Sequence, residues 1–140
     1  MSDTERARAA LPGHSLVLCR GEESITHDGR GISPMMELLA AGRVLSGFSA
    51  ADTIVGKAAA MLFVRAGVCN VFGEVMSRDA LAYLTAHGVA AAYGTLTENI
   101  RNRAGTGICP MEEAVRELSD PEEGYRALAA RLAAMRNAAK

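Results

Sequence analysis

Residues 69–76 constrain the fold of this 140-residue chain more than any other segment. They are apolar apart from Asn70, Gly73 and Glu74. A strand apolar on both faces belongs inside a sheet covered by helices. Ser77-Arg78-Asp79 then opens a helix with Leu81, Tyr83 and Leu84 in its body, and His87-Gly88 stops it. Residues 89–93 read as the next strand. Strand, helix and strand in this order need a crossover, and crossovers make neighbouring strands parallel. The chain is thereby directed to an α/β sheet.

The remaining segments extend this unit in both directions. Residues 1–10 read as a short helix or a loose arm, broken by Leu11-Pro12-Gly13. Residues 15–20 and 23–27 form a hairpin around Gly21-Glu22, closed by the turn Asp28-Gly29-Arg30-Gly31. Ser33 caps a helix over 34–41, with Pro34 in its first position. Ser49-Ala50-Ala51-Asp52 reads as the start of a longer helix, capped by Ser49 or Asp52 and ended by Gly67. Its apolar positions Ile54, Ala58, Met61, Leu62 and Val64 cover much of its circumference, which marks a central, buried helix. Residues 95–107 read as a polar connector, followed by helices over 110–118 and 121–137. The expected order is β-β-α-α-β-α-β-loop-α-α. It implies one three-layer α/β/α domain with a mixed sheet over residues 13–140, preceded by an arm over 1–12.

Composition narrows the function. Net charge is -1, so no positive field favours nucleic acid or an anionic membrane. Aromatic residues are 4% with no Trp, too few for base-stacking platforms. The longest apolar stretch, residues 58–64, is far too short to span a membrane. Residues 1–10 lack the apolar core of a signal peptide. Cys19, Cys69 and Cys109 are three widely spaced cysteines, an odd number with no CxxC pair, as expected in a reducing cytoplasm.

Polar groups collect at element ends. The segment Arg101-Asn102-Arg103-Ala104-Gly105-Thr106-Gly107-Ile108-Cys109-Pro110-Met111-Glu112 places Cys109 beside a helix start, where unpaired N–H groups favour a thiolate or a bound anion. Ser77 lies at the carboxyl end of the central strand, where α/β sheets bind ligands; it is also an ordinary helix cap. Lys57 follows Gly56 in a small, apolar stretch, and faces an anionic group or snorkels over apolar surface. Glu74 interrupts an apolar strand, and is either buried with a raised pKa, paired with Lys57, or facing outward. Thr97, Asn99 and Arg101 add hydroxyl, amide and guanidinium groups, and Arg grips carboxylate or phosphate bidentately. Cys19 and Cys69 read as buried structural thiols, and His14, His27 and His87 form no metal box.

Several segments as a set resemble a family of bacterial domains of unknown function assigned to the cytidine deaminase-like fold. They are Asp28-Gly29-Arg30-Gly31-Ile32-Ser33-Pro34, Ile54-Val55-Gly56-Lys57-Ala58-Ala59-Ala60, Gly73-Glu74-Val75-Met76-Ser77, and Gly94-Thr95-Leu96-Thr97-Glu98-Asn99-Ile100 through Cys109-Pro110. The resemblance spans about residues 14–125 and implies that fold. Zinc deaminases carry His or Cys ligands with a Glu at one helix start and a Pro-Cys-x-x-Cys at the next. Here those places carry Gly56-Lys57-Ala58 and Met76-Ser77-Arg78-Asp79, so the resemblance implies no metal or other cofactor, with Lys57 and Ser77 lining the former metal position. The leading expectation is a domain that binds a nucleotide-like or other small anionic ligand through Lys57, Glu74, Ser77, Thr97, Asn99 and Arg101. Two alternatives stand beside it. One is an enzyme or sulfur carrier using Cys109 as its catalytic residue. The other is a non-catalytic regulatory module that forms a homo-oligomer through the Ala- and Arg-rich final helix.

Overall fold

The computed structural model describes residues 1–101 and 104–138. The elements are α1 (Asp3–Ala10), β1 (Leu16–Arg20), β2 (Glu23–His27), α2 (Ser33–Ala40), β3 (Ser49–Val55), α3 (Lys57–Ala66), β4 (Asn70–Ser77), α4 (Arg78–Ala86), β5 (Ala90–Thr97), α5 (Pro110–Val115) and α6 (Pro121–Ala138). The strands form one mixed sheet in the order β2-β1-β3-β4-β5. β1 is antiparallel to β2 and β3, whereas β3, β4 and β5 are parallel. Helices cover both sides, so the chain is a single-sheet α/β structure.

The hairpin forms as its turn residues dictate. Arg20 pairs with Glu23, and Gly21 takes the left-handed conformation at φ 57° in the two-residue loop. The main correction falls on residues 49–55, which form strand β3 rather than the start of a helix. Ser49, Ala50 and Ala51 have little intrinsic β preference. They are strand because Ala50 and Ala51 are fully buried and paired with β1 on one side and β4 on the other. Gly56 is consequently the junction between β3 and α3, not a costly helix interior. α3 is the central helix foreseen, buried continuously from Ala58 to Phe63 and ended by Gly67 at φ 81°. It packs against α4 and α6. A Cβ at Gly124 would lie 2.6 Å from Met61 Cε, so this glycine lets α6 approach α3 closely.

The two faces of the sheet differ in size. The main core lies under α2–α6 and includes Leu16, Leu18, Ala50, Val55, Val71 and Met76. The opposite face is covered by α1, where Ala7 and Leu11 pack with Val17, Cys19, Ala51 and Phe72. Arg8 stacks its guanidinium 4.2 Å above the Phe72 ring. The residues read as a helix or loose arm thus include a helix packed on the sheet. β5 continues to Thr97, beyond the expected strand end at residue 93 and into the segment read as connector. No helix among the described residues is long and apolar enough to cross a membrane.

Candidate functional site

β3 and β4 end at the same edge of the sheet, and each runs directly into a helix. At the second junction the cap is local. Ser77 is extended and buried, and its hydroxyl oxygen accepts the Ala80 N–H at 3.1 Å. At the first junction Gly56 has no side chain with which to cap α3. Glu112, from α5, supplies the cap: Oε1 accepts the Lys57 N–H at 2.7 Å and Oε2 accepts the Ala58 N–H at 2.8 Å. A carboxylate bridging two unpaired N–H groups is the arrangement that a helix N-terminus favours for any anion. A Cβ at Gly56 would lie 2.3 Å from Glu112 Oε1. Its backbone, at φ -99°, suits any residue, so the glycine is needed for the space the carboxylate fills.

Two carboxyl groups, one at this junction and one further back on β3, are desolvated. Burial raises the Glu112 pKa; the Ala58 and Lys57 N–H bonds oppose it, Asp79 raises it further and Lys57 lowers it. On β3, burial raises Asp52 to about 7 against the N–H groups of Ile54 and Thr53, with a further push from Glu74. Asp52 shares its ladder positions with Leu16 and Gly73, neither of which offers a counter-charge.

A small cleft of about 40 Å³ lies against the Glu112 carboxylate. Lys57, Ser77, Asp79, Glu98, Asn99 and Arg116 contribute to its lining. Lys57 Nζ donates to the Arg116 carbonyl at 3.0 Å, and Arg131 from α6 donates to the Pro110 carbonyl at 2.9 Å. The Tyr83 hydroxyl donates to the Ser119 carbonyl at 2.7 Å. These bonds fix α5 and the turn after it across the end of the sheet. The cleft therefore offers two cations, three carboxylates, an amide and a serine hydroxyl whose proton is still free to donate. That set can grip a small polar molecule.

The structure brings together three of the expected binding residues, Lys57, Ser77 and Asn99. Glu74 is exposed on β4, and Lys57 bonds to a carbonyl on the α5 side rather than to Glu74. Thr97 ends β5, with its hydroxyl 3.5 Å from the Asn99 carbonyl. Arg101 is exposed, bonded to the Gly105 carbonyl at 3.4 Å and bridged to Ile108. Asn102 and Arg103 lie outside the described residues. Cys109 is the residue before α5, with Pro110 in the first turn as expected. Its half-buried side chain packs against the main core and does not line the cleft. The helix that it precedes has only six residues and begins with proline, which has no N–H to offer. A remote carboxylate is held instead at the start of α3, whereas α6 is capped locally by Asp120, which accepts the Glu123 N–H at 2.9 Å.

Cys19 is buried as expected, but Cys69 is exposed, its thiol donating to the Gly47 and Phe48 carbonyls. His14 bonds Asp28 and His27 bonds Glu37, each at 2.6 Å, while His87 stacks on Tyr83. Among the described residues no three His, Cys, Asp or Glu side chains meet as a metal site. Asp79, Glu98 and Arg116 were not foreseen in the cleft, and Glu112 was foreseen only as the end of the run from Arg101. The available signal for Glu112 was indirect: a glycine before an N-terminus without its own cap.

Comparison with known proteins places the chain beside one family. Residues 10–132 match the family model described as TM1506: Domain of unknown function (DUF1893). The crystal structure of a DUF1893 family protein, TM1506, from Thermotoga maritima matches with a TM-score of 0.83 and 26% identity, covering 94% of this chain and 91% of that one. No curated protein matches.

Proposed function

We propose that this chain, which belongs to the DUF1893 family, is a binding domain for a small anionic ligand, nucleotide-like or otherwise, whose acidic group replaces the Glu112 carboxylate. The observation that carries this reading is the fit of a carboxylate between the Lys57 and Ala58 N–H groups, in a space kept clear by Gly56. Lys57 and Arg116 supply charge, while Ser77 and Asn99 supply neutral hydrogen-bonding groups in the same cleft. Glu112 is costly to hold there as a charged group, because burial raises its pKa. An incoming anion that also reaches Lys57 and Arg116 competes with it on favourable terms.

The cytidine deaminase-like reading belongs with this proposal. It is supported by two parallel strands feeding α3 and α4 at one edge, with Lys57 and Ser77 at their starts. The ligand is bound without a metal in this reading. The three free thiols, one exposed, fit a reducing compartment such as the cytoplasm.

Thermal-shift titrations with inorganic phosphate, nucleoside monophosphates and dicarboxylates test the reading, since a ligand selective for the folded state raises its apparent stability. Wild type and Glu112→Ala are compared. The expected result is a saturable increase for at least one class, larger in Glu112→Ala. No increase in either protein, with the variant folded, would leave Glu112 as a structural cap and overturn the proposal.

A further inference from the structure

The two edges of the sheet are built differently. β2 has five residues; its Glu23 pairs with Arg20 and its His27 bonds Glu37. β5 has eight residues, Ala-Ala-Ala-Tyr-Gly-Thr-Leu-Thr, with no charge and no proline. Ala90, Ala92, Tyr93, Gly94 and Thr95 are all exposed, Tyr93 to 42%. Proteins usually blunt a free edge with charge, proline, a short strand or a covering element, because its outward N–H and C=O groups are a template for another strand. Among the described residues, β5 pairs with β4 on one side only.

We infer that the free edge of β5 pairs antiparallel with β5 of a second copy, joining two five-stranded sheets across a two-fold axis normal to the sheet. Such an axis preserves the faces of the sheet, so facing residues must lie on the same side. Ala92 pairs within the chain with Phe72, which packs under α1. Leu96 pairs with Met76 of the main core, which puts the preceding Thr95 on the α1 side, as Ala92 is. The odd spacing between them follows from the ladder, which runs from Gly73–Tyr93 to Val75–Thr95 without a Glu74–Gly94 pair. There a Cβ at Gly94 would lie 2.9 Å from the Glu74 carbonyl oxygen.

An axis beside Tyr93 and Gly94 sets Ala92 against Thr95 of the second copy, Ala91 against Leu96 and Ala90 against Thr97. Each small residue meets a larger one, and no like charges face each other. This size matching within one strand favours a second copy over an unrelated peptide. The interface is isologous and closes at two copies. An eight-residue strand is about 26 Å long. Pairing along that length alone lies at the low end of stable interface areas, so the dimer is reversible.

Sedimentation velocity over a wide concentration range, using the full chain, tests this inference. Wild type is expected to show a monomer–dimer equilibrium. A92K/T95K sets introduced lysines against each other and should weaken the dimer by about tenfold or more. A92K/T95E sets lysine against glutamate and should restore it. Circular-dichroism melts matching wild type establish that the variants fold. A wild type that stays monomeric throughout overturns the inference. So does a dimer indifferent to A92K/T95K, which would have its interface elsewhere, such as on α6, or a folded A92K/T95E that fails to re-form it.

Discussion

Helices α3 and α4 start at the same edge of the sheet, one strand apart, and meet the same need for a cap in opposite ways. α4 takes its cap from Ser77, three residues before the N–H that it satisfies. α3 takes its cap from Glu112, 55 residues away. A local cap ties a helix only to itself, whereas the remote one ties the central helix to α5 and the segment before it. The β3–α3 junction also carries Glu112, a carboxyl group whose pKa burial raises, as burial raises that of Asp52 further back on β3, while the cap at β4–α4 is a neutral hydroxyl. One junction is capped by a neutral hydroxyl from its own turn, whereas the other holds a desolvated carboxylate from α5, and the proposed anion site rests on that difference.

Substitutions that fill the space of the carboxylate should have the largest effect on this contrast. Gly56→Val would drive a branched side chain into Glu112, breaking both N–H bonds, and is expected to cost about 3 kcal/mol in urea unfolding. An unchanged midpoint would mean that α5 moves aside freely. Asp52→Asn comes next. Asp52 has a folded-state pKa of about 7 against the usual 3.8, so its contribution is fully present below pH 3.8 and is lost as pH rises through about 7. The variant should therefore be more stable than wild type by about 2 kcal/mol at pH 8, with little difference at pH 3.5. Parallel stability profiles for the two proteins would remove Asp52 from the account.

Glu112→Ala should cost about 1.5 kcal/mol at neutral pH, because two N–H bonds are lost while the removed carboxylate was itself desolvated. The double variant Gly56→Ser with Glu112→Ala turns the α3 junction into a copy of the α4 junction, and should recover most of that loss. Gly56→Ser alone should not, because its Cβ meets Glu112. Equal stabilities for the double variant and Glu112→Ala would break the equivalence of the two caps. The smallest effect is expected at the local cap, where Ser77→Ala should cost about 1 kcal/mol and leave the α5 segment protected from hydrogen exchange. Faster exchange across residues 110–115 would contradict the separation of the two junctions.

The sequence signals were clearest where chemistry was local. The hairpin with its Gly21 turn, the apolar strand β4, the Ser77 cap and the Pro110 helix start all follow from neighbouring residues. β3 was read as helix because Ser49, Ala50 and Ala51 become strand only through pairing with β1 and β4. The second half of β5 was read as connector because Gly94 and Thr95 look like turn residues until β4 lies beside them. Ser77 was placed in the site by the rule that α/β sheets bind at the carboxyl ends of their strands, Lys57 beside it by the family resemblance, and Asn99 by the polar run that contains it. Glu112 could be read only as a first-turn acid of its own helix, since its partners lie 54 and 55 residues earlier.

The central claim is that the start of α3 is an anion site occupied by the chain's own Glu112. The most direct measurement follows the backbone amides of Lys57 and Ala58 by nuclear magnetic resonance during a titration with inorganic phosphate. In Glu112→Ala these two amides should shift together and saturably, while in wild type they should respond only at much higher phosphate. Amides that stay fixed in a folded Glu112→Ala, at phosphate concentrations that move exposed control residues, would contradict the account.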